Sequence, residues 1–135
     1  MRPGDDEKEV RHVLNDEIAA LVEPARVHRR VYTDPDVFKV EMDRVWGQAW
    51  IFIGHESMVP EPGDFITTTL GLHPVTMVRD TVSDTINVLH NRCGHRGVKL
   101  TEKAHGNAKV FRCFYHGWTY RTDGGLGSVP SVKGY

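Results

Sequence analysis

"CGHRG", residues 93–97, and "CFYHGW", residues 113–118, contain the only two cysteines of the chain, and each cysteine has a histidine two or three residues further on. The first stretch reads C-x-H and the second C-x-x-H, with seventeen residues between His95 and Cys113. An isolated Cys or His is usually a packed or surface residue. The same pairing twice points instead to four ligands, Cys93, His95, Cys113 and His116, converging on one place. "TINVLHN" leads into the first pair and "KVFRC" into the second, so each pair is predicted to follow a strand. A hairpin between them would set two loop tips side by side. Gly94, Gly97 and Gly117 flank the ligands; glycine allows positive φ and close backbone approach, so that N–H groups can point at sulfur. Thiolate with imidazole suits zinc or an iron–sulfur centre. A single disulfide is the competing use of two cysteines.

Outward from these loops, the C-terminal two thirds read as short β-rich runs: "WIFIGH", "DFITTTL", "PVTMVRD", "TINVLHN", "AKVFRCF" and "GWTYRTD". Turn-forming stretches divide them, namely "PEPGD", "GLHP", "RDTVSD", "AHGN" and "TDGG". A small all-β unit of sandwich or barrel character is expected. The final "GSVPSVKGY" reads as an extended or loop tail.

The N-terminal part has another texture. Residues 5–23 carry Val10, Leu14, Ile18, Leu21 and Val22 at helical spacing, with acidic residues near the start and Pro24 as the stop. A second helix is predicted over "TDPDVFKVEMDRVWGQAW", capped by Thr33 or Asp34, with Pro35 in its first turn and Gly47 at its end. Val37, Phe38, Met42, Val45 and Trp46 form its apolar stripe, and Trp46 and Trp50 are expected to pack in the core. The basic cluster "RVHRRV", residues 26–31, reads as a solvated face or docking edge.

With 135 residues, 39% of them hydrophobic, one compact domain is the natural size. A net charge of −1 argues against nucleic acid as a partner. No apolar run approaches the roughly 18 residues of a membrane span. "MRPGDDEKEV" lacks the apolar stretch of a secretory signal. A cytoplasmic protein without membrane contact is expected.

Zinc fingers put their cysteines in one pair and their histidines in another. Here each loop gives one of each, and this resembles the Rieske motif, C-x-H followed by C-x-x-H on a β scaffold. The resemblance implies a [2Fe–2S] cluster bound by Cys93, His95, Cys113 and His116. Both cysteines would hold one iron and both histidines the other. Neutral imidazoles replacing two thiolates would raise the potential above that of an all-cysteine ferredoxin.

Three kinds of Rieske protein compete. The cytochrome bc type adds a cysteine in each loop, where this chain has Val98 and Tyr115, and a serine after "HG", where it has Trp118. Lacking that serine, the chain is expected near the bottom of the Rieske range of roughly −150 to +300 mV, although Tyr120 can still donate to a cysteine sulfur. A stand-alone Rieske ferredoxin, an electron carrier, begins with β-structure almost at once, whereas about 50 residues come first here. The third kind is the large (alpha) subunit of aromatic ring-hydroxylating oxygenases. "WIFIGHESMVPEPGDF", "NRCGHRG" and "CFYHGWTY" resemble that family's W-x-F-x-G-H-x-S-x-(V/I)-P-x-P-G-D-F, N-x-C-x-H-R-G and C-x-Y-H-G-W. The similarity covers about residues 28–130.

The resemblance implies a mainly β fold, a Rieske-type antiparallel β-sandwich with N-terminal helices. Residues 1–47 would be a helical lead-in and 48–135 the Rieske domain. A ferredoxin or reductase would donate electrons, which would pass to a mononuclear Fe(II) in a catalytic domain within an alpha trimer or α3β3 assembly. His12, His28, His55, His73, His90 and His105 offer no pair suited to that second iron, so this chain is expected to transfer electrons only. Trp118 is expected to cover the cluster or to be an ordinary core residue, Tyr115 to pack on the cluster loop, Arg96 to meet an acidic partner surface or to form a simple surface salt bridge, and His90 to be an ordinary strand residue.

Overall fold

The structure is a computed structural model that describes residues 16–134. The chain divides into two compact units, Met1–Trp50 and Ile51–Tyr135.

In the first unit, residues 16–19 are helical, and the remainder of the predicted first helix before residue 16 lies outside the described residues. The helix does not continue to residue 23. Strand β1 (Val22–Glu23) turns back through Pro24 and Ala25 onto β2 (Arg26–Val27). Proline disfavours helical geometry in the residue before it, and a tight hairpin results. The basic cluster is largely exposed, with Arg26 paired to Glu23 and Arg30 to Asp34, each at 2.7 Å. The second predicted helix forms as an α-helix, Pro35–Glu41, and runs on as a π-helix, Met42–Trp46, before Gly47. Asp34 caps it, its carboxylate accepting the Asp36 N–H at 3.0 Å. The expected burial of its stripe does not follow. Val37 alone of the stripe is buried, Trp46 is 37% exposed and Trp50 fully exposed, so neither tryptophan packs in a core of this chain.

In the second unit, four antiparallel strands stand in the order β5-β4-β3-β6: β3 (Asp64–Leu70), β4 (His73–Arg79), β5 (Ile86–His90) and β6 (His105–Asn107). Three more form a second antiparallel sheet, β7 (Val110–Arg112), β8 (Thr119–Arg121) and β9 (Leu126–Ser128). Phe65 and Val78, opposite each other on β3 and β4, face Phe111 of the second sheet. The Phe65 and Phe111 rings meet edge to face at 5.4 Å, and Tyr120 packs beside them. Burying each phenylalanine contributes about 1.5–3 kcal/mol.

Two expectations about strands need correction. "WIFIGH" is not a strand. A Cβ at Gly54 would lie 3.0 Å from the Met77 side chain and 3.2 Å from that of Ile66, so the segment passes over the side chains of β3 and β4 at Gly54 instead of joining the ladder. "AHGN" is not a turn, because His105–Asn107 pairs with β3. Gly106 pairs with Phe65 and lies under its ring, where a Cβ would come within 3.1 Å of the ring and force it to shift. The tail supplies β9, which pairs with β8.

Candidate metal centre

The two ligand loops do not belong to one hairpin. The first leaves β5 of the four-stranded sheet, while the second joins β7 to β8 in the other sheet. Packing of the two sheets, not a shared ladder, brings the loops together.

Each loop folds on the same hydrogen bonds. Cys93 N–H donates to the Val98 carbonyl at 2.7 Å, and Gly97 N–H to the Cys93 carbonyl at 2.9 Å. Cys113 N–H donates to the Trp118 carbonyl at 2.8 Å, and Gly117 N–H to the Cys113 carbonyl at 3.0 Å. The returning residue needs a positive φ in both, +71° at Gly97 and +73° at Gly117, which glycine adopts at little cost. Gly94 has no such φ; its N–H donates to the Tyr120 hydroxyl at 2.8 Å.

The donors fall into two pairs. Both cysteines are 2% exposed and unbridged, and the Cys113 side chain is in hydrogen-bonding reach of Cys93. The His95 and His116 rings lie further out, with centroids 4.7 Å apart. Among the described residues, no three His, Cys, Asp or Glu side chains gather round a single point. A two-iron cluster needs two protein ligands per iron.

The electrostatics favour the ligating forms. Burial pushes the Cys93 thiol up, but hydrogen bonds from Tyr120, the His95 backbone, Cys113 and the Arg96 backbone outweigh it and leave the thiol below the ordinary cysteine value. Burial, then repulsion from His116 and Arg96, lowers His95 and keeps the imidazole neutral. Burial and the contact with Cys93 raise Tyr120, which therefore remains a protonated donor. Its hydroxyl lies 3.2 Å from Cys93 Sγ.

Trp118 stacks on the His95 ring, 4.9 Å between centroids and 8° from parallel. Tyr115 lies against His116 at 3.9 Å, and the Arg96 guanidinium sits 5.9 Å from the Tyr115 ring. His90 is on β5, edge to face with His73 at 5.6 Å. One supporting residue was not singled out in the sequence. Asn91 is 3% exposed; its Oδ1 accepts the Leu100 and Thr101 N–H groups at 3.1 Å each, and its Nδ2 donates to the Thr101 carbonyl at 2.8 Å. Its place at the head of "NRCGHRG" was the available signal.

Residues 49–134 match the Rieske [2Fe-2S] domain family. The chain is 44% identical over 116 residues to the benzene 1,2-dioxygenase subunit alpha of Pseudomonas putida, covering 84% of this chain and 26% of that protein. It is 43% identical over 120 residues to the biphenyl dioxygenase subunit alpha of Paraburkholderia xenovorans, covering 89% and 25%. Among solved structures, naphthalene 1,2-dioxygenase from Rhodococcus sp. bound to indole is similar with a TM-score of 0.78 and 36% identity, over 93% of this chain and 28% of that one. The chain thus spans about a quarter of the length of the curated relatives it matches. Its paired cysteines and histidines on two packed antiparallel sheets, together with this similarity, mean that the chain belongs to the Rieske [2Fe-2S] domain family, in the form found in the alpha subunits of ring-hydroxylating dioxygenases.

Proposed function

We propose that Cys93 and Cys113 hold one iron of a [2Fe–2S] cluster and His95 and His116 the other. The carrying observation is the separation of the four donors into a buried sulfur pair and an outer imidazole pair. When bound, the cluster supplies a one-electron couple. Tyr120 donates to the Cys93 sulfur, and the Gly94 N–H orients the phenol. Trp118 shields one face of His95 from water. Residues 48–135 form the electron-carrying domain and residues 1–47 its lead-in.

The wider reading is electron transfer within an aromatic ring-hydroxylating dioxygenase alpha subunit. A ferredoxin or reductase would donate, and a mononuclear iron in a catalytic domain would accept, within an alpha trimer or α3β3 assembly. The similarity to benzene and biphenyl dioxygenase alpha subunits supports it. No helix among the described residues is long and apolar enough to cross a membrane. The cytoplasm, where reduced nicotinamide cofactors are made, is the compartment this reading calls for.

Iron and sulfide analysis with electron paramagnetic resonance of the dithionite-reduced protein tests the site. The expected outcome is two iron and two sulfide per chain and a rhombic signal with average g below the free-electron value. That signal should vanish in both Cys113→Ser and His116→Ala. One zinc per chain with no signal would overturn the reading.

A further inference from the structure

The Tyr120 hydroxyl reaches Cys93 from β8, and the chain is gripped two residues further on. Thr122 and Asp80 are 1% and 4% exposed. The Thr122 hydroxyl donates to Asp80 Oδ1 and accepts the Thr81 N–H at 3.1 Å, while Asn87 Nδ2 donates to the Thr122 carbonyl at 3.2 Å. The other Asp80 oxygen accepts the Ser83 hydroxyl at 2.7 Å and the Ser83 and Val82 N–H groups at 2.8 and 3.3 Å. Asp80, Thr81 and Asn87 come from β5 and the β4–β5 turn; Thr122 follows β8. Thr122 is the first residue of the turn that follows β8, separated from Tyr120 by Arg121 alone, so a hold on Thr122 fixes the end of the strand that carries Tyr120. Strand β9 gives β8 a less regular support, because the register between them shifts at Thr119 and Tyr120.

We infer that Asp80 is a positioning residue for the redox site: by gripping Thr122 it holds the end of β8 against the four-stranded sheet and keeps the Tyr120 hydroxyl on the Cys93 sulfur. The inference rests on the Rieske reading for its effect on potential. The sign separates two routes. A carboxylate acting directly through its field disfavours the added electron, so removing it would raise the potential. Acting through Tyr120, it maintains a hydrogen bond that favours the reduced cluster, and its removal lowers the potential.

The test is a redox titration of the iron-loaded full chain with Asp80→Asn, Thr122→Val, Thr122→Ser, Tyr120→Phe and the double variant Asp80→Asn/Tyr120→Phe. Asp80→Asn and Thr122→Val are expected to shift the potential downward, as Tyr120→Phe does. Thr122→Ser, which keeps the hydroxyl, should restore the wild-type value, and the double variant should lie no lower than Tyr120→Phe. A rise in Asp80→Asn, or a full further drop in the double variant, overturns the inference. Hydrogen exchange over residues 93–97, read by mass spectrometry, needs no redox signal. Exchange there should quicken in Asp80→Asn while the β3–β4 ladder stays protected, and unchanged exchange overturns the inference. A wild-type protein lacking the Rieske signal would instead count against the proposed cluster, leaving the exchange result to judge the Asp80 grip alone.

Discussion

In the first ligand loop the chain leaves strand β5 and travels through residues 91–104 before β6; in the second it passes directly from β7 to β8. Both loops close on the same pair of backbone hydrogen bonds and on a glycine of positive φ. What stands behind them differs. The second loop has the β7–β8 ladder on both sides of it, so its ends are already together. The first has no partner strand to close it, and the Asn91 side chain does the closing by satisfying Leu100 and Thr101 across its base. The same local turn is thus secured once by sheet pairing and once by a buried amide.

Asn91→Ala should break this comparison most severely. It leaves buried or half-buried backbone groups unpaired, at about 1–3 kcal/mol. For a domain of this size that is a fall in melting temperature of roughly 4–8 °C per kcal/mol. Iron content should fall with it, and Asn91→Asp should recover part of the loss through its carboxylate oxygen. A melting temperature equal to wild type would show that the loop closes without the amide.

The two loop glycines sharpen the comparison. A Cβ at Gly97 would meet the tip of the flexible Arg92 side chain at 3.1 Å, whereas at Gly117 it would meet the Pro130 ring at the same distance. Both alanine variants carry the cost of a left-handed residue, about 1–2 kcal/mol. Gly117→Ala should cost more than Gly97→Ala, because a proline ring yields less than an arginine tip. Chemical denaturation of the two variants checks the order, and a reversed order would count against the rigid-neighbour argument.

The smallest effect concerns acid. The Thr122 hydroxyl, then the Ser83 hydroxyl and N–H, hold the Asp80 carboxyl well below the usual carboxylate range. Its folded value therefore lies below the unfolded value of roughly 3.9. The stability it contributes is fully present above that unfolded value and is lost as pH falls through the folded one. Asp80→Asn should show its deficit in full near neutral pH, and the deficit should shrink as melts are taken toward lower pH. A deficit independent of pH would mean that the charge of Asp80 contributes nothing to the grip.

Much of the fold is legible in the sequence. "DFITTTL" is β3 to the residue, and the β4 and β5 runs are right to within one residue at either end, because period-2 patterning and flanking turn residues act locally. Residues whose role depends on distant neighbours were harder to read. Gly106 made "AHGN" look like a turn, yet that glycine makes room for the Phe65 ring. Ile51 and Ile53 looked like strand residues because apolar character alone does not distinguish a strand from a segment laid over a sheet. Trp46 and Trp50 looked like core because size and apolarity say nothing about what lies opposite.

The sequence by itself singled out the two Cys–His pairs, Cys93 with His95 and Cys113 with His116, and the short β-rich texture around them, since residue spacing and strand patterning are written in neighbouring residues. It also flagged Tyr120 as a donor to sulfur. Only the tertiary structure decided that the two loops come from different sheets, that Tyr120 reaches Cys93 rather than Cys113, and that Asn91 and the Asp80–Thr122 pair stand behind the site. Asp80 and Thr122 are forty-two positions apart. They meet because burial of Phe65, Val78 and Phe111 presses the two sheets together, and no local pattern in the chain encodes that meeting.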